Sequence, residues 1–393
     1  MKKLLLATAA TALVAGAASA QEVKLGILLG FTGPLESTVP DMAKGAEFAV
    51  KEINDSGKFT LGTISTVNGD STCVDAAAAT AAAERLVTAD GVAAIVGGDC
   101  SGVTGAVLQN VARPNGIGMI SPSATSPALS TAEDDGLFFR TAPSDARQGE
   151  IMADILTEKG IKSVAVTYTN NDYGKGLADS FGAAFAAKGG SVTISAPHED
   201  GKADYSAEVA SLAAAGGELL VVAGYVDQGG KGVIQGSLDS GAFSTFYLVD
   251  GMYGESLIGA IGEPLNGSFG AVPGTDSEGA AKYEEAAKAA GFDGSNAFSK
   301  ESYDAAALIL LSMAAANSTA AKDWGPKVMD LANAPGEPIL PGELGKALEL
   351  IAAGTDIDYV GASAVELVGA GESAGNYREY AINGGKIETV GFR

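Results

Sequence analysis

The chain has 393 residues, and 25 Lys and Arg against 48 Asp and Glu leave a net charge of −23. At roughly 150 residues per domain that length gives two or three domains. So acidic a chain is repelled by phosphate backbones and anionic lipid surfaces, so neither nucleic acid nor a membrane surface is an expected partner. A hydrophobic fraction of 46% with 19% charged residues suits packed domains. The single histidine, His198, excludes His-rich metal sites and leaves Ser-His or Cys-His catalysis one candidate base.

Lys2 and Lys3 precede a run that is apolar or small from Leu4 to Ala18, and Ala18-Ser19-Ala20 is an A-x-A cleavage motif. The run is shorter than the ~20 residues of a bilayer span, so a signal peptide cleaved after Ala20 is expected. Gln21 follows the cut where a lipoprotein would have Cys, so the mature chain is expected to carry no membrane anchor. Export favours joining Cys73 to Cys100, the only two cysteines. Without neighbouring histidines they cannot complete a tetrahedral zinc site, and no metal or cofactor is expected.

Val23–Leu29 reads as a short apolar strand, followed by a turn and a helix from Asp41 to Asn54 with Met42, Ala46, Ala49, Val50 and Ile53 on one stripe. A strand over Leu61–Val67 leads to a helix over Asp75–Ala89, which Asp75 caps. A fully apolar strand Val92–Val96, a helix Ser101–Ala112 and a strand Ile117–Ile120 complete one unit. After a polar stretch at Arg140–Ser144 the alternation restarts. Helices are expected at Gln148–Lys159, Tyr173–Lys188 and Ser206–Ala215, with strands at Ser163–Tyr168, Val192–Ala196 and Leu219–Ala223. Ser277–Ala290 and Ser302–Ala316 are helical, and a strand-rich tail with a hairpin turn at Asn383-Gly384-Gly385 runs from Gly361 to Arg393. Two α/β units of parallel crossovers follow, with the site beyond the carboxyl ends of the strands.

No P-loop or dinucleotide fingerprint is present. Gly97-Gly98-Asp99-Cys100-Ser101-Gly102 ends a strand and opens a helix. It reads either as an anion cradle for a small carboxylate or as a tight turn with Ser101 as helix cap. Ser121–Pro127 is a second hydroxyl-rich turn in the same unit. His198, in Pro197-His198-Glu199-Asp200, reads as a solvated loop residue.

Several stretches resemble the leucine/isoleucine/valine-binding family of bacterial ABC importers. They are Leu25-Gly26-Ile27, Thr32-Gly33-Pro34, Lys44-Gly45-Ala46-Glu47, the paired Cys73 and Cys100, and Met119–Thr125. Phe139-Arg140-Thr141, Asp172–Gly176, Ala223-Gly224-Tyr225 and Gly361-Ala362-Ser363 continue the likeness in order along nearly the whole mature chain. The resemblance implies a two-lobed type I periplasmic-binding-protein fold, each lobe a mostly parallel sheet with helices on both faces. The expected division is a signal peptide at 1–20, an N-terminal lobe at 21–141 plus about 274–360, and a C-terminal lobe at 142–273 plus about 361–393. Three hinge crossovers join the lobes.

The resemblance also implies a periplasmic monomer that binds a small-molecule amino acid, branched-chain or otherwise neutral, and delivers it to an inner-membrane ABC permease. Ser101 and Thr125 would hold the carboxylate and the Ser123 backbone the amino group. Tyr173 and Tyr225 would close over the ligand, and Asp250, where a glutamate is commoner, would neutralise the ammonium. Thr38 stands where tyrosine is frequent, and Glu36 lies near the same mouth as a solvated charge or a contact for a polar or cationic side chain. A sensor of the same fold is the second reading. An enzyme is disfavoured by the missing nucleophile-base pair.

Overall fold

The computed structural model describes residues 22–393. The signal peptide and its cleavage after Ala20 lie outside the described residues. In the first sheet, β1 (Glu22–Leu29), β2 (Thr63–Asp70), β3 (Ala94–Gly97), β4 (Gly118–Ser121) and β5 (Phe138–Pro143) alternate with helices. The second repeats the scheme with β6 (Ser163–Thr169), β7 (Ser191–His198), β8 (Leu219–Ala223), β9 (Phe246–Leu248) and β10 (Phe269–Pro273). Short strands β11 (Glu337–Ile339) and β12 (Ile357–Tyr359) pair only with each other. The tail supplies β13 (Leu367–Val368), β14 (Glu372–Ser373), β15 (Tyr377–Asn383) and β16 (Lys386–Phe392).

The strand orders are β13-β14-β5-β4-β3-β1-β2 and β16-β15-β10-β9-β8-β6-β7. The five crossover-linked strands of each sheet are mutually parallel, whereas β15 and β16 join the second sheet antiparallel. Both orders reverse beside the first strand of the sheet, and ligands of such sheets lie beyond the strand carboxyl ends at that switch point.

Local chemistry explains the elements. The strands β3 and β8 are buried throughout because helices cover both faces. The helix Val39–Ser56 buries Met42, Ala46, Ala49, Val50 and Ile53 and stops at Gly57, whose φ of 64° suits a left-handed cap. Asp75 accepts from the amides of Ala77 and Ala78 and so caps Ala76–Arg85. The helices expected at Asp75–Ala89 and Ser101–Ala112 both widen into π turns, at Leu86–Asp90 and Leu108–Ala112. Helix Ser299–Ala316 is buried from Ser299 through Met313. No single helix among the described residues is long and apolar enough to cross a membrane. Gly384 and Gly385, at φ 56° and 66°, turn β15 into β16 as a two-residue hairpin requires.

Three expectations need correction. The polar stretch at Arg140–Ser144 is mostly strand: β5 is buried along its whole length, because Arg140 is enclosed by hydrogen-bond acceptors instead of facing water. The third crossing does not fall at Gly361. The β14 strand pairs with β5 and β13 with β14, so the chain leaves the first sheet after Ser373 and joins the second at Tyr377. His198 is not a solvated loop residue but the buried end of β7, sharing a 2.8 Å hydrogen bond between Nδ1 and Thr167 Oγ1. The cysteines Cys73 and Cys100 are joined, tying the loop after β2 to the turn after β3.

Burial lowers the His198 pKa from 6.5 to about 4, outweighing the attraction of Glu208. The unfolded chain therefore takes up a proton between those values that the native chain refuses. The stability due to neutral His198 is complete above pH 6.5 and is lost as pH falls through about 4, roughly 3 kcal/mol in all. His198→Gln is expected to flatten the acid limb of a denaturation-versus-pH series. An unchanged limb, or an imidazole that titrates near 6.5 by NMR in the folded protein, would refute this.

Candidate functional site

The loops after β1, β3 and β4 of the first sheet face those after β6, β8 and β9 of the second. On the first side Cys100, not Ser101, occupies the helix N-cap position, and Ser101 starts the helix Ser101–Val107. Its Oγ accepts from the Ser126 amide at 3.0 Å, which leaves the Ser101 O–H free to donate. The turn after β4 is held from within. Ser121 Oγ donates to Gly98 O, and Ser123 Oγ donates to Asp99 O at 2.9 Å. Asp99 points away from the turn, accepting from the Gly30 amide and Ser71 Oγ, so its charge does not occupy the space that the loop amides face. Burial raises its pKa against those bonds. Thr125 is fully buried, and its hydroxyl has no hydrogen-bond partner among the described residues.

On the second side Tyr173, Tyr225 and Asp250 are brought together and buried. The tyrosine rings stack with centroids 5.2 Å apart. Tyr173 donates its hydroxyl to Asp250 Oδ1 at 2.6 Å and accepts from the Gly251 amide at 3.2 Å. A Cβ at Gly251 would lie 2.5 Å from Gly224 O and 2.8 Å from the Tyr173 hydroxyl, so only glycine admits this contact. Burial raises the Asp250 pKa, although hydrogen bonds from Tyr173 and Gln148 oppose the shift. Burial and the neighbouring carboxylates push the Tyr173 hydroxyl far above its usual range, so it stays a donor.

Two residues of the cluster escaped the sequence reading. Gln148 donates from Nε2 to Asp250 Oδ1 at 2.8 Å. Asp145, first in the helix Asp145–Glu158, is fully buried and anchored by its amide to Thr125 O at 2.8 Å. Thr125's hydroxyl lies close enough to favour the ionised Asp145 but outside hydrogen-bond geometry. A signal was available: Asp145 and Gln148 are polar at i and i+3 of a first helical turn, on the face that then continues with Met152 and Ile155.

The lobes touch at the mouth of the cleft. Ser37's amide donates to Asp227 Oδ2 at 2.9 Å, Ser37 and Ser256 share a hydroxyl contact at 3.0 Å, and the Asp227 amide donates to Pro34 O. Thr38 is buried at the start of its helix, whereas Glu36 is exposed. Among the described residues, the one group close enough to chelate a metal is Cys73, Asp99 and Cys100, and its sulfurs are joined in the disulfide and so offer no thiolate.

The profile of the periplasmic binding proteins matches residues 22–330. A Leu/Ile/Val-binding protein homolog of Brucella abortus is 31% identical over 362 residues, covering 87% of this chain and 95% of that protein. The chain belongs to the leucine/isoleucine/valine-binding family of periplasmic binding proteins. A further homolog from Brucella melitensis is 36% identical over 237 residues, 58% of this chain and 62% of that protein. Among solved structures, a leucine-binding protein from Thermotoga maritima superposes with a TM-score of 0.78 at 20% identity, covering 94% of this chain and 98% of its own. A Rhodopseudomonas palustris solute-binding protein in complex with 4-hydroxybenzoate gives 0.78 at 16% identity, covering 95% and 97%. These likenesses show the type I periplasmic-binding-protein fold.

In this member of the family, Arg140 holds the hydroxyl-rich turn. It is buried and donates to Ala124 O, Ser126 O, Ser130 Oγ and the Glu372 carboxylate from β14. Removing one partner of such a buried pair leaves the other charge and two carbonyls unmatched. Arg140→Met is expected to cost about 3–5 kcal/mol in urea unfolding. A loss below about 1 kcal/mol would mean that the turn is held by other contacts.

Proposed function

We propose that this chain is a periplasmic solute receptor that binds an amino acid between its lobes and delivers it to an ABC permease of the inner membrane. The observation carrying this reading is the buried Asp250 carboxylate, oriented by Tyr173 and Gln148 on the side of the cleft opposite the two first-lobe loops that bear Ser101 and Thr125. A zwitterion leaves water only if both its charges are met. Asp250 answers the ammonium. The Ser101 and Thr125 hydroxyls and the loop amides answer the carboxylate. Tyr173 and Tyr225 cover the ligand from the second lobe. An aromatic acid without a cation, as bound by the Rhodopseudomonas protein, would leave that carboxylate unmatched. No bond is made or broken in this scheme. The two mouths of the cleft meet through Ser37, Asp227 and Ser256, so binding is a hinge closure carried by the segments that link the sheets.

A thermal-shift screen is expected to show stabilisation by one or more amino acids and none by benzoate or 4-hydroxybenzoate. Small-angle scattering should give a smaller radius of gyration with the bound amino acid, and an unchanged radius would refute hinge closure. In calorimetric titrations Asp250→Asn should weaken the amino acid by roughly 2–5 kcal/mol. Thr125→Val should cost about 1–3 kcal/mol, and exposed Glu36→Gln should leave leucine affinity unchanged. Wild-type affinity in Asp250→Asn would place the ammonium elsewhere.

A further inference from the structure

We propose that Glu301, a buried carboxylate where the three segments linking the lobes run together, makes closure of the cleft depend on pH, its protonated form favouring the closed receptor. This goes beyond the amino-acid reading above and rests on it only for the ligand that drives closure.

The three linkers lie side by side. The first leaves β5 at Pro143, which pairs with Ser373 at the start of the third. The second leaves β10 at Pro273, which pairs with Tyr377 where the third joins the second sheet. The Gly274 amide donates to Asn376 O at 2.9 Å and ties those two together. Against them stands the first turn of the helix Ser299–Ala316, which packs on β3, β4 and β5 of the first lobe. Glu301 meets the first linker through its main chain, since its carbonyl accepts from Thr141 Oγ1 at 2.8 Å. Its side chain lines a cavity of about 300 Å³, walled also by Pro273–Ser277 of the second linker, by Arg378 beside the third, and by Thr389 and Phe392 of β16. Each lobe supplies part of that wall, so rotating one against the other reshapes it.

The charged and titratable groups around Glu301 come from several elements. Lys300 and Asp304 share its helix, and Arg378 lies on β15. Tyr283 and Glu284 lie on the helix Glu278–Ala290, and Asp276 on the second linker. The two cations are engaged elsewhere. Lys300 Nζ lies 2.6 Å from Glu284 Oε1 and donates to Gly294 O at 3.1 Å. Arg378 donates to Ser295 O at 3.2 Å and lies 4.8 Å above the centre of the Tyr253 ring. Burial therefore dominates and raises the Glu301 pKa from 4.5 to about 7, with Lys300, its own amide and Arg378 opposing and Asp304 adding. Opening the cleft displaces the second-lobe wall and lets water reach the carboxylate, which returns its pKa toward 4.5. Closing then takes up a proton. The preference for the closed form is complete below the pKa of the open form and is lost as pH rises through about 7.

The test is titration calorimetry from about pH 5.5 to 8.5 with the amino acid that stabilises the protein most, on wild type, Glu301→Gln and Arg378→Gln. Wild-type affinity should fall by roughly ten- to thirtyfold across that window relative to Glu301→Gln, whose amide mimics the protonated acid. In two buffers of different ionisation enthalpy near pH 6, wild type should take up a large fraction of one proton per ligand more than the variant does. Arg378→Gln removes an opposing positive charge, so the midpoint of its fall should lie above pH 7. Identical pH profiles and proton counts in wild type and Glu301→Gln, or an affinity difference that grows with pH, would overturn the proposal while leaving amino-acid binding standing. An unmoved midpoint in Arg378→Gln would overturn it even if Glu301→Gln does not fold. Wild type that binds no amino acid at any pH would overturn the receptor reading and this proposal together.

Discussion

Asp145 and Asp250 are closed off from water where the two lobes meet, and much of the molecule is arranged around that fact. Burial and the proximity of Asp250 both disfavour the ionised form of Asp145, and Arg140 offsets part of that effect. Hydrogen bonds from Tyr173 and Gln148 reach Asp250. Asp145 keeps its oxygens unmatched.

The two sheets make this possible by repeating one strand order. Each presents the carboxyl ends of its first, third and fourth strands to the cleft, so the same three loops recur on either side. The first lobe offers hydroxyls, amides and the start of a helix. The second offers two tyrosines and a carboxylate. The two lobes thus bring different groups to the cleft, and neither supplies the whole set alone.

Arg140 links this site to the tail of the chain. Its guanidinium takes the carbonyls of Ala124 and Ser126, which flank Thr125, and the carboxylate of Glu372. The hydroxyl turn is therefore fixed by a residue more than 200 positions away in sequence, on a strand that the division implied by the resemblance assigned to the other lobe. Burial of so large a cation is tolerated because its donors find acceptors in protein.

The alternation of strand and helix and the cysteine pair were legible in the sequence because each depends on residues close together or few in number. Ser101 and Thr125 stood out as hydroxyls beyond strand ends, whereas Tyr173, Tyr225 and Asp250 were singled out by the resemblance to the binding-protein family, and the fold brings those three together. Asp145 and Gln148 did not stand out, since nothing local separates a polar first turn facing solvent from one facing a second lobe. His198 and Arg140 were misread for the same reason. A polar residue reads as exposed until its partners are known, and here Thr167, Glu372 and the Ala124 carbonyl come from other strands and turns. Tertiary structure alone decided which polar groups lie buried and which of those stay unpartnered, because burial is a property of what packs around a residue and not of its neighbours in the chain.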